Sequence, residues 1–97
     1  MASFVVLANF TEQGARNVKE IPQRRQRALE LAQRMGVNVT NRYLTMGAYD
    51  LVLTLEAPDD ETATRFVLSL TSAGNLRTTT LRAYTEEEGD RILAGLA

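Results

Sequence analysis

Apolar positions recur along this chain in two rhythms, and the switches between them lay out the elements. Ser3 to Phe10 holds the consecutive apolar residues Val5, Val6 and Leu7, which predicts a strand covered on both faces. Thr11 to Lys19, with Gly14 inside it, reads as a turn with room for one helical turn. From Pro22 to Met35, the spacing of Ala28, Leu31, Ala32 and Met35 predicts a helix. Pro22 suits its first turn, where a missing N–H costs nothing, and Gly36 supplies a left-handed C-cap. Val37 to Leu44 and Tyr49 to Glu56 then read as strands joined by Thr45-Met46-Gly47. Pro58-Asp59-Asp60-Glu61 opens a second helix with acidic residues that complement the helix dipole. Its apolar stripe is Ala63, Phe66, Val67, Leu70 and Ala73, and Gly74-Asn75 ends it. Leu76 to Tyr84 is a threonine-rich strand. Thr85 and Glu88 have capping-box spacing and start a C-terminal helix carrying Ile92, Leu93 and Leu96.

The order is β-α-β-β-α-β-α, an α+β chain that reads as one domain over residues 1–97. Its first six elements match the ferredoxin-like split βαβ pattern, βαββαβ, with the last helix as an addition. Right-handed crossovers give an antiparallel sheet of order 4-1-3-2, with both long helices on one face. A short hairpin loop with Gly47 left-handed would pair Leu44 with Ala48 and Tyr43 with Tyr49. That register places Val37, Val39, Asn41, Tyr43, Tyr49, Leu51, Leu53 and Leu55 on the helix side. Asn38, Thr40, Arg42, Asp50, Val52 and Thr54 fall on the other.

Helices on one face leave the other face bare, with Leu7, Val52 and one of Val5 or Val6 on it. Such an apolar patch on a small domain marks an interface, and two sheets packed face to face about a two-fold axis would cover it. The competing arrangement folds the C-terminal helix back over the open face. A homodimer or larger homo-oligomer is the expectation.

Composition narrows the picture further. Eleven basic and twelve acidic residues leave a net charge of −1, without the broad positive field of a nucleic-acid binder. Met1-Ala2-Ser3-Phe4 lacks the layout of a signal peptide, and no apolar run is long enough to span a membrane, so the chain reads as cytoplasmic. There is no cysteine and no histidine, which removes disulfides, thiolate and imidazole metal sites, and the usual nucleophile–base pairs. No metal or cofactor is expected.

Several segments together resemble the GYD-domain family. They are Thr11-Glu12-Gln13-Gly14, Thr45-Met46-Gly47-Ala48-Tyr49-Asp50, Glu56-Ala57-Pro58-Asp59-Asp60-Glu61, and Gly74-Asn75-Leu76-Arg77 running on to Tyr84. The resemblance implies a small bacterial or archaeal protein of the dimeric α/β-barrel type. It implies no activity. Related barrels include cofactor-free monooxygenases, haem enzymes and isomerases, so the fold alone does not choose a reaction.

Candidate chemistry is correspondingly sparse. Tyr43 and Tyr49, with Asn41 on the same face, either orient a ligand between sheet and helix or pack as a cross-strand aromatic pair. Asp50 is a candidate catalytic carboxylate, or else caps its turn or pairs with Arg42 or Arg82. Arg24, Arg25 and Arg27 form a basic cluster that either binds an anion or serves as a solvated helix edge. Arg25 and Arg82, with Asn41, Tyr43 and Tyr49, form the ligand-binding set. The strand around Met46–Leu53 lacks the basic and aromatic pattern of an RNA-recognition motif. Three functions fit: a homo-oligomeric module that binds a small organic ligand or regulates a partner, a cofactor-independent monooxygenase or isomerase, and a structural scaffold.

Overall fold

The computed structural model describes residues 1–97. The elements are β1 (Ala2–Phe10), α1 (Glu12–Arg16), a 3-10 turn (Val18–Glu20), α2 (Ile21–Met35), β2 (Asn38–Leu44), β3 (Leu51–Ala57), α3 (Asp60–Thr71), β4 (Leu76–Ala83) and α4 (Glu86–Ala94). All strand pairs are antiparallel, in the order β2-β3-β1-β4, which is 4-1-3-2 read from the opposite edge. The helix boundaries follow the local chemistry. Gly36 adopts φ 72° at the end of α2. Asp59 caps α3 by accepting from the Thr62 N–H at 2.7 Å.

Every second residue of β1 points into the core. Phe4, Val6 and Ala8 are buried, and Phe4 and Val6 pack with Leu55 and Ala57 of β3, Ala32 of α2, and Ala63, Phe66 and Val67 of α3. Both long helices therefore cover one face. Val5 and Leu7 lie on the other and are only half-buried, so β1 is not covered on both sides within one chain.

The hairpin differs from the expected register. Leu44 pairs with Leu51 and Tyr43 with Val52, not with Ala48 and Tyr49. The loop runs from Thr45 to Asp50 and closes when the Thr45 N–H donates to the Asp50 carbonyl at 2.8 Å. The Thr45 hydroxyl also donates to the Tyr49 carbonyl at 2.6 Å, and Gly47 takes φ 108°. A bulge between Val39 and Asn41 completes the correction. The extra residue reverses the pleat, so Val39 stays on the helix side while Asn41 and Tyr43 turn to the open face. Arg42, paired with Leu53, moves to the helix side.

One segment ties the two ends of the fold together. Thr11, the N-cap of α1, donates its hydroxyl to the Gly74 carbonyl at 2.6 Å, and its N–H to the Asn75 carbonyl at 3.0 Å. Gln13 donates to the Ala73 carbonyl at 3.0 Å and to the Asn75 side-chain oxygen at 3.1 Å. Asn75, the one buried polar residue, is satisfied by this latch. The Thr11–Gly14 and Gly74-Asn75 segments are thus a structural clasp between the start of α1 and the α3–β4 turn.

α4 does not fold back over the sheet as a cover. It starts with a complete capping box and has no buried residue. The chain is correspondingly extended, 50 Å in its longest dimension. Its radius of gyration is 14.6 Å, against roughly 12.5 Å for a globular chain of this length. It exposes 6554 Å², whereas a monomer of this mass exposes about 5500 Å². Only 12 of 97 residues are buried, so one chain alone leaves much of its apolar surface uncovered. No helix is long and apolar enough to cross a membrane.

The cap of α4 carries a pH dependence. The Thr85 backbone N–H, and next its side chain, hold the Glu88 carboxyl below its ordinary value, with Arg82 and Arg91 assisting. A lowered native value means the stabilisation is present above the ordinary glutamate range. It is lost as pH falls through the native value. Far-UV circular dichroism should show helicity decreasing on acidification more steeply in wild type than in Glu88→Gln. Identical profiles would remove Glu88 from the cap.

Candidate functional site

The open sheet face is built by alternation. Pairing places Val5 beside Thr54 and Leu81, and Leu7 beside Val52 and Thr79. Tyr43 extends the row from Val52 to the β2 edge. The apolar centre is Val5, Leu7, Val52 and Leu81, with Tyr43 and Asn41 at one side and Arg77 at a corner. The Asn41 amide donates to the Thr54 hydroxyl at 3.0 Å, and the Tyr43 hydroxyl lies 3.5 Å from the Asn41 oxygen. These are exposed neutral polar groups around an apolar patch, an arrangement suited to a partner surface rather than to proton transfer.

The predicted ligand set is not one constellation. Asn41 and Tyr43 do come together, on the open face, and Tyr43 at the β2 edge also borders the cleft that Arg25 lines. Tyr49 sits in the loop rather than opposite Tyr43. Arg25 lies on α2 beside the cleft described below, whereas Arg82 sits toward the opposite end of the sheet, near the start of β1. Arg82 stacks over the Phe4 ring, 5.5 Å from its centroid, and over the Tyr84 ring at 4.6 Å. It donates to the Ser3 and Ala83 carbonyls and approaches Asp60 at 3.8 Å. Those contacts fasten the end of β4 where α4 departs.

Asp50 is a backbone anchor in this structure. One carboxylate oxygen accepts the Phe10 N–H at 2.9 Å, and its own N–H donates to the Ala8 carbonyl at 2.9 Å. It therefore fixes the β2–β3 loop to the end of β1, with neither Arg42 nor Arg82 as its ion-pair partner. Asp50→Ala should lower unfolding free energy by about 1–3 kcal/mol, because a part-buried N–H loses a charged acceptor. Asp50→Asn, which keeps an acceptor oxygen, should lose less. Urea denaturation measures both, and equal stability of all three proteins would contradict the anchor role.

A second feature lies between sheet and helix, where a ligand bound by Tyr43 was one of the two expectations: a cleft of about 700 Å³ between α2, α3 and the helix side of β2 and β3. Fifteen of its 22 lining residues are hydrophobic. The lining includes Arg24, Arg25, Arg27 and Arg42 and no acidic residue. Arg24 is held by the Asn17 carbonyl at 3.0 Å and by Glu20 at 3.5 Å, while Arg25, Arg27 and Arg42 form no ion pair. The signal in the sequence was the arginine cluster. Arg42 joins it only because the bulge turns β2 over. No group of three or more potential ligand side chains is placed to hold a metal.

A small α+β domain with an uncovered sheet face and an arginine-bordered apolar cleft is the class these features define. The chain belongs to the GYD-domain family, whose GYD domain matches residues 4–93. It is 38% identical over 84 residues to a Thermus thermophilus protein named glutamine synthetase and cystathionine beta-lyase binding protein, covering 86% of this chain and 88% of that one. The fold is similar to the crystal structure of MtbAldR, with TM-score 0.67 and 20% identity over 88% of this chain. This chain spans only 54% of that structure. FFRP-DM1 is similar at TM-score 0.60 and 20% identity, covering 87% of this chain and all of that one, 100%. At these identities the two structures speak to the fold alone.

Proposed function

We propose that this protein is a homodimeric, non-catalytic module that binds and regulates partner enzymes. The observation that carries the reading is the uncovered sheet face. Its central side chains are apolar, and the chain exposes roughly 1000 Å² more than a self-sufficient monomer of its mass would. A second copy placed face to face covers that surface with the same residues, as a two-fold interface requires. The partner-enzyme part is supported by the name of the Thermus thermophilus relative, which spans most of both chains. Glutamine synthetase and cystathionine beta-lyase are therefore the first partners to test.

Catalysis has less support. The Asp50 carboxylate is occupied by the Phe10 N–H, Tyr43 and Tyr49 are not opposed, and Arg25 and Arg82 are apart. The proposed role needs no cofactor, and it suits a cytoplasmic protein. Biolayer interferometry with the host's purified glutamine synthetase and cystathionine beta-lyase tests it. Saturable binding to at least one, with a dissociation constant in the micromolar range or below and a change in that enzyme's activity, is expected. Absence of binding to both would overturn the partner assignment.

A further inference from the structure

α4 and the cleft are each incomplete, and each supplies what the other lacks. α4 is well formed, yet Ile92, Leu93 and Leu96 are 49%, 63% and 70% exposed. At helical spacing Ile92 and Leu93 share one side of α4, flanked by Glu88 on one edge and by Glu86 and Asp90 on the other, and Leu96 follows the Gly95 C-cap. Glu86 and Asp90 form no ion pair within the chain. The cleft has the opposite character. It is apolar at its centre and bordered by Arg25, Arg27 and Arg42, which have no carboxylate partners, and its rim residue Leu44 is 74% exposed.

We infer that α4 of one protomer docks in the arginine-bordered cleft of a second copy. Ile92, Leu93 and Leu96 enter the apolar centre, while Glu86 and Asp90 meet the rim arginines. This inference rests on the face-to-face dimer proposed above. With the two-fold axis parallel to the strands, each β4 edge lies over the partner's β2 edge with the Ala83 end level with the partner's Asn38 end, so α4 reaches the cleft by running back along β2 toward Leu44. α4 follows β4 directly, and β2 forms one wall of the cleft through Val39, Arg42 and Leu44. The fastening of Arg82 to Phe4, Tyr84 and Asp60 fixes where the arm leaves the domain. Arm exchange covers two apolar surfaces at once, and it pairs arginines with carboxylates at the edge of a desolvated patch, where such pairs confer orientation and specificity.

The chain has no cysteine, so single reporters are unambiguous. Leu44→Cys and Leu93→Cys, both at exposed positions, are made as separate full-length proteins, mixed to exchange subunits, and treated with a short bismaleimide. Native mass spectrometry of the same mixture gives the assembly state. The expected result is a covalent heterodimer in the mixture at least several-fold above either protein alone. A non-covalent dimer without that cross-link would overturn arm exchange and leave the face-to-face dimer standing. Bare monomer would overturn both. A Leu44→Cys/Leu93→Cys double variant that cross-links only within one chain would place α4 in its own cleft. Retained mass of a small organic acid, with no mixed cross-link, would make the cleft a ligand site instead. Either result would also overturn arm exchange.

Discussion

Gly14→Ala is expected to lower the melting temperature by roughly 10 °C, equivalent to about 2 kcal/mol in a domain of this size. A Cβ built on Gly14 lies 2.1 Å from the Asn75 carbonyl oxygen and 2.9 Å from its carbonyl carbon. Both are backbone atoms, so relief requires the α1 segment to separate from the α3–β4 turn. Separation breaks the clasp formed by the Thr11 hydroxyl, the Thr11 N–H and Gln13. It also leaves buried Asn75 without its main partner. Differential scanning calorimetry of the two proteins measures the shift. An unchanged melting temperature would mean that this close approach is not maintained in solution.

Leu7→Arg is expected to convert the protein to monomer while leaving each chain folded. Leu7 sits on central strand β1, between Val52 and Thr79 in the middle of the open face. Two-fold symmetry brings two such positions near the same axis, so one substitution places two guanidiniums in an apolar interface. The expected weakening is at least about 100-fold in dimer dissociation constant. Folding survives because the helix-side core of Phe4, Val6, Leu55 and Phe66 is on the other side of the sheet, and an arginine at a half-buried position extends its charge into water. Sedimentation velocity with near-ultraviolet circular dichroism separates dissociation from unfolding. A Leu7→Arg protein that remains dimeric would move the interface elsewhere.

Much of this architecture was legible because its signals are local. The Pro22 and Gly36 boundaries, the acidic start of α3, and the Thr85–Glu88 box each act within one or two turns, and each appears where its chemistry demands. The hairpin register was not legible. Segregating polar from apolar residues works where one face is firmly buried, but β2 is an edge strand with almost every residue exposed. Its polarity therefore constrains little. A bulge that adds one residue at Thr40 was enough to exchange the faces of Asn41, Arg42 and Tyr43.

The candidate site was legible only in pieces. Arg25 belongs to a cationic border, but its partner Arg42 became visible only with the bulge. Asp50 stood out as a carboxylate beside a turn. Its bond to the Phe10 N–H spans 40 residues and leaves no local trace. Gly14 looked like an ordinary turn residue for the same reason, since the atom that forbids a side chain there belongs to Asn75. Long-range backbone contacts, more than side-chain chemistry, explain why Asp50 and Gly14 occupy their positions.

Sedimentation equilibrium of the wild-type protein at low micromolar concentration tests the central claim most directly. A homodimeric module predicts a species of at least twice the 10.8 kDa chain mass, with the dimer persisting as the protein is diluted through the micromolar range. A single species at the chain mass across that range would contradict the account, because the open sheet face would then be stable in water without a second copy.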